Sequence, residues 1–212
     1  VKVFNELNKE TEARLLAEIM LSMARAKLDE NNQVTIEQIE DSLNRMKTLY
    51  GEVHSSIADL LRLYARELEN KSPDQAEDYY REAIGIYEKL SSSGTNEEFY
   101  GYQEIGGFLN HIDKFQEAED AYNQADKIAQ KIKLDQKTDQ RVAELKSKRA
   151  ANLCDLERYE AGLETIQEAL EIIEAKKVEE SETYADFLVV KAICERKFSQ
   201  SSGDNTLLII AL

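Results

Sequence analysis

Small and bulky residues recur along this chain at the spacing of one helix face. Thr35, Ala76, Ala118 and Gly162 are each followed four residues later by Ile39, Tyr80, Tyr122 and Ile166. Three residues further on come Ser42, Ala83, Ala125 and Ala169. Positions i, i+4 and i+7 share a face of an α-helix, so each set predicts an inward stripe against which a neighbouring helix can approach closely. Successive sets are offset by 41, 42 and 44 residues. A near-constant period of that size predicts a stack of similar helix pairs in place of one closed globule.

Turn chemistry places the boundaries. Thr35-Ile36-Glu37-Gln38 reads as a capping box, in which the two polar side chains satisfy otherwise orphaned amides at a helix start. Ser72-Pro73-Asp74-Gln75 does the same with proline at the first helical position, where its missing N–H is no loss. Asp113-Lys114-Phe115-Gln116 reads as a third such start. Ser91-Ser92-Ser93-Gly94 is a connector, followed by the helix opening Thr95-Asn96-Glu97-Glu98. The predicted units are 11–50, 53–90, 97–134 and 139–177, with a partial fifth over 181–198. Residues 1–198 then form one repeat domain. Residues 199–205 are expected as a polar loop, followed by the apolar run Leu207, Leu208, Ile209, Ile210, Ala211 and Leu212.

Composition agrees with this pattern and narrows the chemistry. There is one proline in 212 residues, and neither alternating β-branched runs nor Asn-Gly turns occur, so the fold class is all-α. The net charge of −15 would repel a phosphate backbone, which disfavours nucleic acid and suits a basic protein or peptide partner. Acidic helix surfaces also serve solubility alone. No run of 18 apolar residues is present, so no membrane span is predicted. The opening Val-Lys-Val-Phe-Asn reads as the start of an excised domain. Cys154 and Cys194, 40 residues apart, fall on first helices of adjacent units; they are expected as reduced, buried thiols in a cytoplasmic protein, with a disulfide across neighbouring repeats as the remote alternative.

The helix-turn-helix unit resembles the tetratricopeptide repeat. Ile105-Gly106, Leu109, Phe115, Ala118, Tyr122 and Ala125 stand at that motif's spacing in the third unit. Ala150, Leu153, Tyr159, Gly162, Ile166 and Ala169 follow it in the fourth. The second unit keeps Leu60, Tyr64, Ala76, Tyr80 and Ala83, and the first is degenerate, with Met20, Met23, Thr35, Ile39 and Ser42. The period of about 42 is similar to the long kinesin light chain-like class of these repeats. The resemblance implies a right-handed superhelical solenoid of antiparallel helix pairs. It also implies a non-catalytic scaffold or adaptor that holds a peptide or partner helix in a concave groove built by the first helices.

Transferring that groove onto this chain selects Arg14 and Arg25, then Arg62 and Arg66, then Tyr100, Gln103, Asn110 and His111, then Ser147 and Lys148. Arg62 and Arg66 are one helical turn apart and could grip a carboxylate together. Pairing of these arginines with Glu18, Asp59 or Glu67 is the equal alternative. The lysine-and-asparagine clamp with which some members hold chaperone tails is missing, since the matching positions read Ala17, Leu21, Ala58, Arg62, Gln103 and Gly107. Tyr79, Tyr80 and Tyr87 are read as core, Tyr79 with least support. No catalytic, metal or cofactor constellation is found: His54 and His111 lie in different units, and Gly106-Gly107 sits within a helix. An alternative function is a structural spacer that self-associates or packs through residues 207–212.

Overall fold

The computed structural model describes residues 43, 44, 46–48, 50–90, 94–175 and 182–202. Among them, the helical residues 43, 44, 46–48 and 50 precede α1 (Ser55–Leu68), α2 (Pro73–Leu90), α3 (Asn96–His111), α4 (Phe115–Lys131), α5 (Gln140–Asp155), α6 (Tyr159–Ala175) and α7 (Glu182–Ser202). No strand occurs among the described residues. The chain divides into two compact units, Val1–Ser92 and Ser93–Leu212. The Thr35, Ile39 and Ser42 set lies outside the described residues; the other three sets face inward without exception. Ala76, Tyr80 and Ala83 are buried, as are Ala118, Tyr122 and Ala125 and then Gly162, Ile166 and Ala169.

In the first unit, α1 and α2 pair as a hairpin. The His54 ring caps α1 by accepting from the Ser56 amide at 3.2 Å, and it stacks on Tyr50 with centroids 4.2 Å apart. Pro73 opens α2 as expected, and the Ser72 carbonyl accepts from the Ala76 amide at 3.0 Å. The core joins Leu43 and Met46 to Ile57, Leu60, Leu61 and Tyr64 of α1 and to Ala83, Ile86 and Tyr87 of α2. Tyr79, half-buried, packs against it, so all three tyrosines belong to the scaffold.

In the second unit, α3 pairs with α4 and α5 with α6, while α7 lies against α5 and α6. Thr95 caps α3, its Oγ1 accepting from the Glu98 amide at 3.1 Å. Asp139 caps α5 through the Arg141 amide at 3.0 Å. Two glycines are steric necessities. A Cβ on Gly106 would stand 2.7 Å from Cε1 of Tyr122, and one on Gly162 would stand 2.4 Å from Sγ of Cys154. Gly106 thus makes room for the tyrosine of its own pair.

Three features depart from expectation. Asp113 does not cap α4; it adopts φ 61° in the turn after α3, and the N-cap Lys114 contributes no side-chain bond. The Lys114 and Asp113 amides instead reach back to the carbonyls of Leu109 and Asn110, a Schellman closure. Lys133 and Glu157 repeat it with φ 59° and 60°. Second, α7 continues through Ser202, so the residues expected to begin a loop at Ser199 are helical. Third, Cys154 and Cys194 are joined in a disulfide, with Cα atoms 5.6 Å apart, linking α5 to α7. Period alone had placed the two cysteines on adjacent first helices, but not at facing points of them.

Candidate partner-binding face

The first unit contributes Arg62 and Arg66 from α1. Arg62 points into its own helix pair: its Nη1 lies 3.5 Å from Oδ1 of Asp59 and donates to the Tyr87 hydroxyl at 3.3 Å. The Tyr87 hydroxyl in turn donates to Asp59 at 2.6 Å. Burial holds the Tyr87 phenol far above the ordinary tyrosine range, and the Arg62 charge only partly offsets that. Arg66 is exposed. The two arginines therefore differ in role although they sit one turn apart. Arg14 and Arg25 fall outside the described residues.

In the second unit the first helices α3, α5 and α7 lie side by side, α5 touching both others. Asn110 on α3 donates through Nδ2 to Oδ1 of Asn152 at 3.1 Å and to Oδ2 of Asp155 at 2.9 Å, both on α5. Lys197 on α7 pairs with the other oxygen of Asp155. Asn152 is fully buried and donates to the Phe115 carbonyl at 3.1 Å, which fixes its orientation against the start of α4. A polar line thus runs across three successive first helices. Behind it, Oε1 of the buried Glu119 on α4 accepts two bonds from Arg149 on α5, at 3.0 and 2.6 Å. Burial, then the Glu119 and Asp155 charges, raise the Tyr122 phenol well above its usual range.

The remaining expected residues sort by exposure. His111 and Lys148 are exposed. Tyr100 is half-buried, edge-on to Phe99 with centroids 5.3 Å apart. Gln103 at 3% and Ser147 at 6% present almost no surface, because they sit within the packing of their helices. Sequence reasoning passed over Asn152, Asp155, Lys197, Glu119 and Arg149. A usable signal existed: Asn110 and Asn152 are 42 residues apart, and so are Asp155 and Lys197, the period of the repeat itself. Among the described residues, no cluster of three or more His, Cys, Asp or Glu has metal-ligand proximity, and no helix is long and apolar enough to cross a membrane.

Helix pairs of this length, closed by small–bulky–small stripes and laid first helix against first helix, define a tetratricopeptide-like helical repeat fold. Solved structures of the kinesin light chain-like kind share it. Crystal structures of a Podosopora anserina kinesin light chain-like protein with nearly identical TPR-like repeats, one a point variant, superpose with TM-scores of 0.68 and 0.65. Their identities are 17% and 15%; each match covers 94% of this chain and 92% or 93% of the other. BtubC (BKLC) from P. vanneervenii matches with a TM-score of 0.63 and 16% identity, over 99% of this chain and 86% of its own. At such identities the likeness is one of fold. No protein-family model matches the chain, and neither does any curated protein.

Proposed function

We propose that this chain is a non-catalytic protein-interaction module that holds a peptide or partner helix against the face of its first helices. The observation that carries the reading is the polar line from Asn110 through Asn152 and Asp155 to Lys197. It holds α3, α5 and α7 together with internal partners, and so leaves the exposed His111 and Lys148 available to a ligand. A rigid, prearranged face lowers the ordering cost of binding. Exposed Lys148 on this face favours a ligand carrying carboxylates, despite the acidic bulk charge. Gln103 and Ser147 serve the scaffold and not the ligand.

Selection from a random peptide library on the intact chain tests this. Selected peptides are expected to be enriched in Asp and Glu, and to lose affinity on Lys148→Glu while helicity is unchanged. Affinity indifferent to Lys148→Glu and to His111→Ala would remove the first-helix face from the proposal. The cytoplasmic setting expected from the sequence holds only with Cys154 and Cys194 reduced, because disulfides persist chiefly in oxidising compartments.

A second reading, a spacer that assembles through the apolar residues 207–212, draws on the exposed Leu188, Val189 and Ile193 of α7. Sedimentation of the chain with and without residues 203–212 addresses it. A monomer in both forms would sink it.

A further inference from the structure

Among the described residues, no helix covers one apolar face of α7. In α5 the corresponding face is occupied: Ala143 and Ala150 are fully buried, packed with Ile166, Ala169 and Ile173 of α6. Small residues there let α6 come close, and a Cβ added to Gly162 of α6 would stand 3.1 Å from the Ala150 carbonyl oxygen. One period of 42 residues later the same positions on α7 are Ala185 and Ala192, and both are exposed. Beside them stand Leu188 at 42% exposure, Val189 at 57% and Ile193 at 37%. Residues 185, 189, 192 and 196 follow the +4, +3, +4 spacing of a coiled-coil seam. Phe187 and Cys194, which are buried, lie on the opposite side of the helix.

We propose that this seam binds the same seam of a second copy of the chain, the two α7 helices running antiparallel about a two-fold axis between residues 190 and 191. The seam is complementary to itself when reversed. Val189 of one copy then lies level with Ala192 of the other, so a bulky residue meets a small one on both sides of the axis. The helices can close to about 8 Å, as helices with small residues at the contact do. Charge fits the same direction. Glu182 and Asp186 are exposed at the start of the seam and Arg196 at its end. Reversal sets Arg196 level with Ala185 of the second copy, within one helical turn of both acids, and the symmetry makes this contact twice. A parallel pair would instead set Arg196 against Arg196 and acid against acid. The seam from 182 to 196 is about 21 Å long. One helix face of that length buries less than the roughly 800 Å² per partner of a standard interface, so the dimer is weak and reversible, with a Kd on the order of 10 μM. The net charge of −15 adds a long-range repulsion that salt screens. The inference rests neither on a ligand at the first-helix face nor on residues 207–212.

Sedimentation velocity of the full chain, from micromolar to near-millimolar concentration at physiological ionic strength, tests this. A shift from monomer to dimer with rising concentration is expected. Val189→Asp, at an exposed position, is expected to leave helicity unchanged and to move the midpoint at least about tenfold higher, because it places a charge in the seam. Arg196→Glu should weaken the dimer by about tenfold. Adding Glu182→Arg and Asp186→Arg to it should restore the original midpoint, because reversing every charge recreates the antiparallel pairs. A monomer at every concentration would overturn the proposal. So would a dimer indifferent to Val189→Asp; loss of such a dimer on removing residues 203–212 would assign assembly to the apolar C-terminal segment instead. A dimer weakened by Arg196→Glu and weakened further by the added substitutions would overturn the antiparallel pairing.

Discussion

Tyr87 of α2 donates to Asp59 of α1, and Tyr80 of α2 donates to Glu69 just beyond α1 at 2.6 Å, both within the one complete helix pair described in the first unit, while Lys47 ahead of α1 reaches Glu82 of α2 at 2.8 Å. In the second unit the corresponding contacts cross from pair to pair: Asn110 to Asn152 and Asp155, Arg149 to Glu119, Lys197 to Asp155, and Cys154 to Cys194. The apolar stripes do not differ in this way. Ala76, Tyr80 and Ala83 are as buried as Ala118, Tyr122 and Ala125. Close packing of small and bulky residues therefore suffices to build a hairpin in either unit, because burial is non-directional. In the second unit directional bonds between particular atoms are added to that burial where neighbouring hairpins meet.

The comparison can be broken experimentally, beginning with the covalent link. Replacing both cysteines by alanine, or reducing the bond, removes a cross-link spanning 40 residues. Chain entropy gives that about 4 kcal/mol. The loss is expected in denaturant unfolding followed by hydrogen exchange, centred on α5 and α7; unchanged exchange in α7 would show that the bond contributes nothing to seating that helix. Arg149→Ala should follow. It leaves Glu119, whose side chain is 4% exposed, buried without its cation. The expected destabilisation is about 3 kcal/mol, whereas a loss near zero would mean that water reaches the carboxylate.

Within-pair contacts should matter less. Tyr87→Phe removes one hydroxyl bond to the partly solvated Asp59, an expected loss of about 1 kcal/mol read by urea unfolding. Its pH signature has a definite sign. Burial raises the Tyr87 phenol, so its contribution is fully present below the unfolded tyrosine value of about 10 and is lost as pH rises beyond that. The alkaline loss should shrink in Tyr87→Phe; an identical alkaline limb in both proteins would contradict the assignment. The smallest effect concerns the turns. Asp113→Gly relieves a non-glycine residue at φ 61° and should stabilise by up to about 1 kcal/mol. A destabilised variant would show that the aspartate side chain has a role of its own there.

Much of the hairpin architecture was legible in advance because helix periodicity and helix-start chemistry are local. Pro73 and Thr95 open their helices where the sequence put them. Asp113 was misread because a residue before a helix start can serve either as N-cap or as the left-handed end of the preceding helix; which it does depends on where the Leu109 carbonyl lies. The candidate face was less legible. Arg62 and Arg66 have the same charge and nearly the same position in the repeat, yet only Arg62 meets Tyr87, which is 25 residues away. Gln103 stands at a groove position by motif and is buried by its neighbours.

From its order of residues alone, then, this protein is an all-helical chain of long hairpins, repeated about every 42 residues and closed by small–bulky–small stripes. Those properties depend on spacing along one helix, which the chain carries in itself. Tertiary structure alone decided that Cys154 meets Cys194, that Asn110 reaches Asn152 and Asp155, and that Arg62 turns inward while Arg66 stays in solvent. Each of these depends on the angle and register between separate helices, and side chains only a few ångströms long meet or miss on that difference.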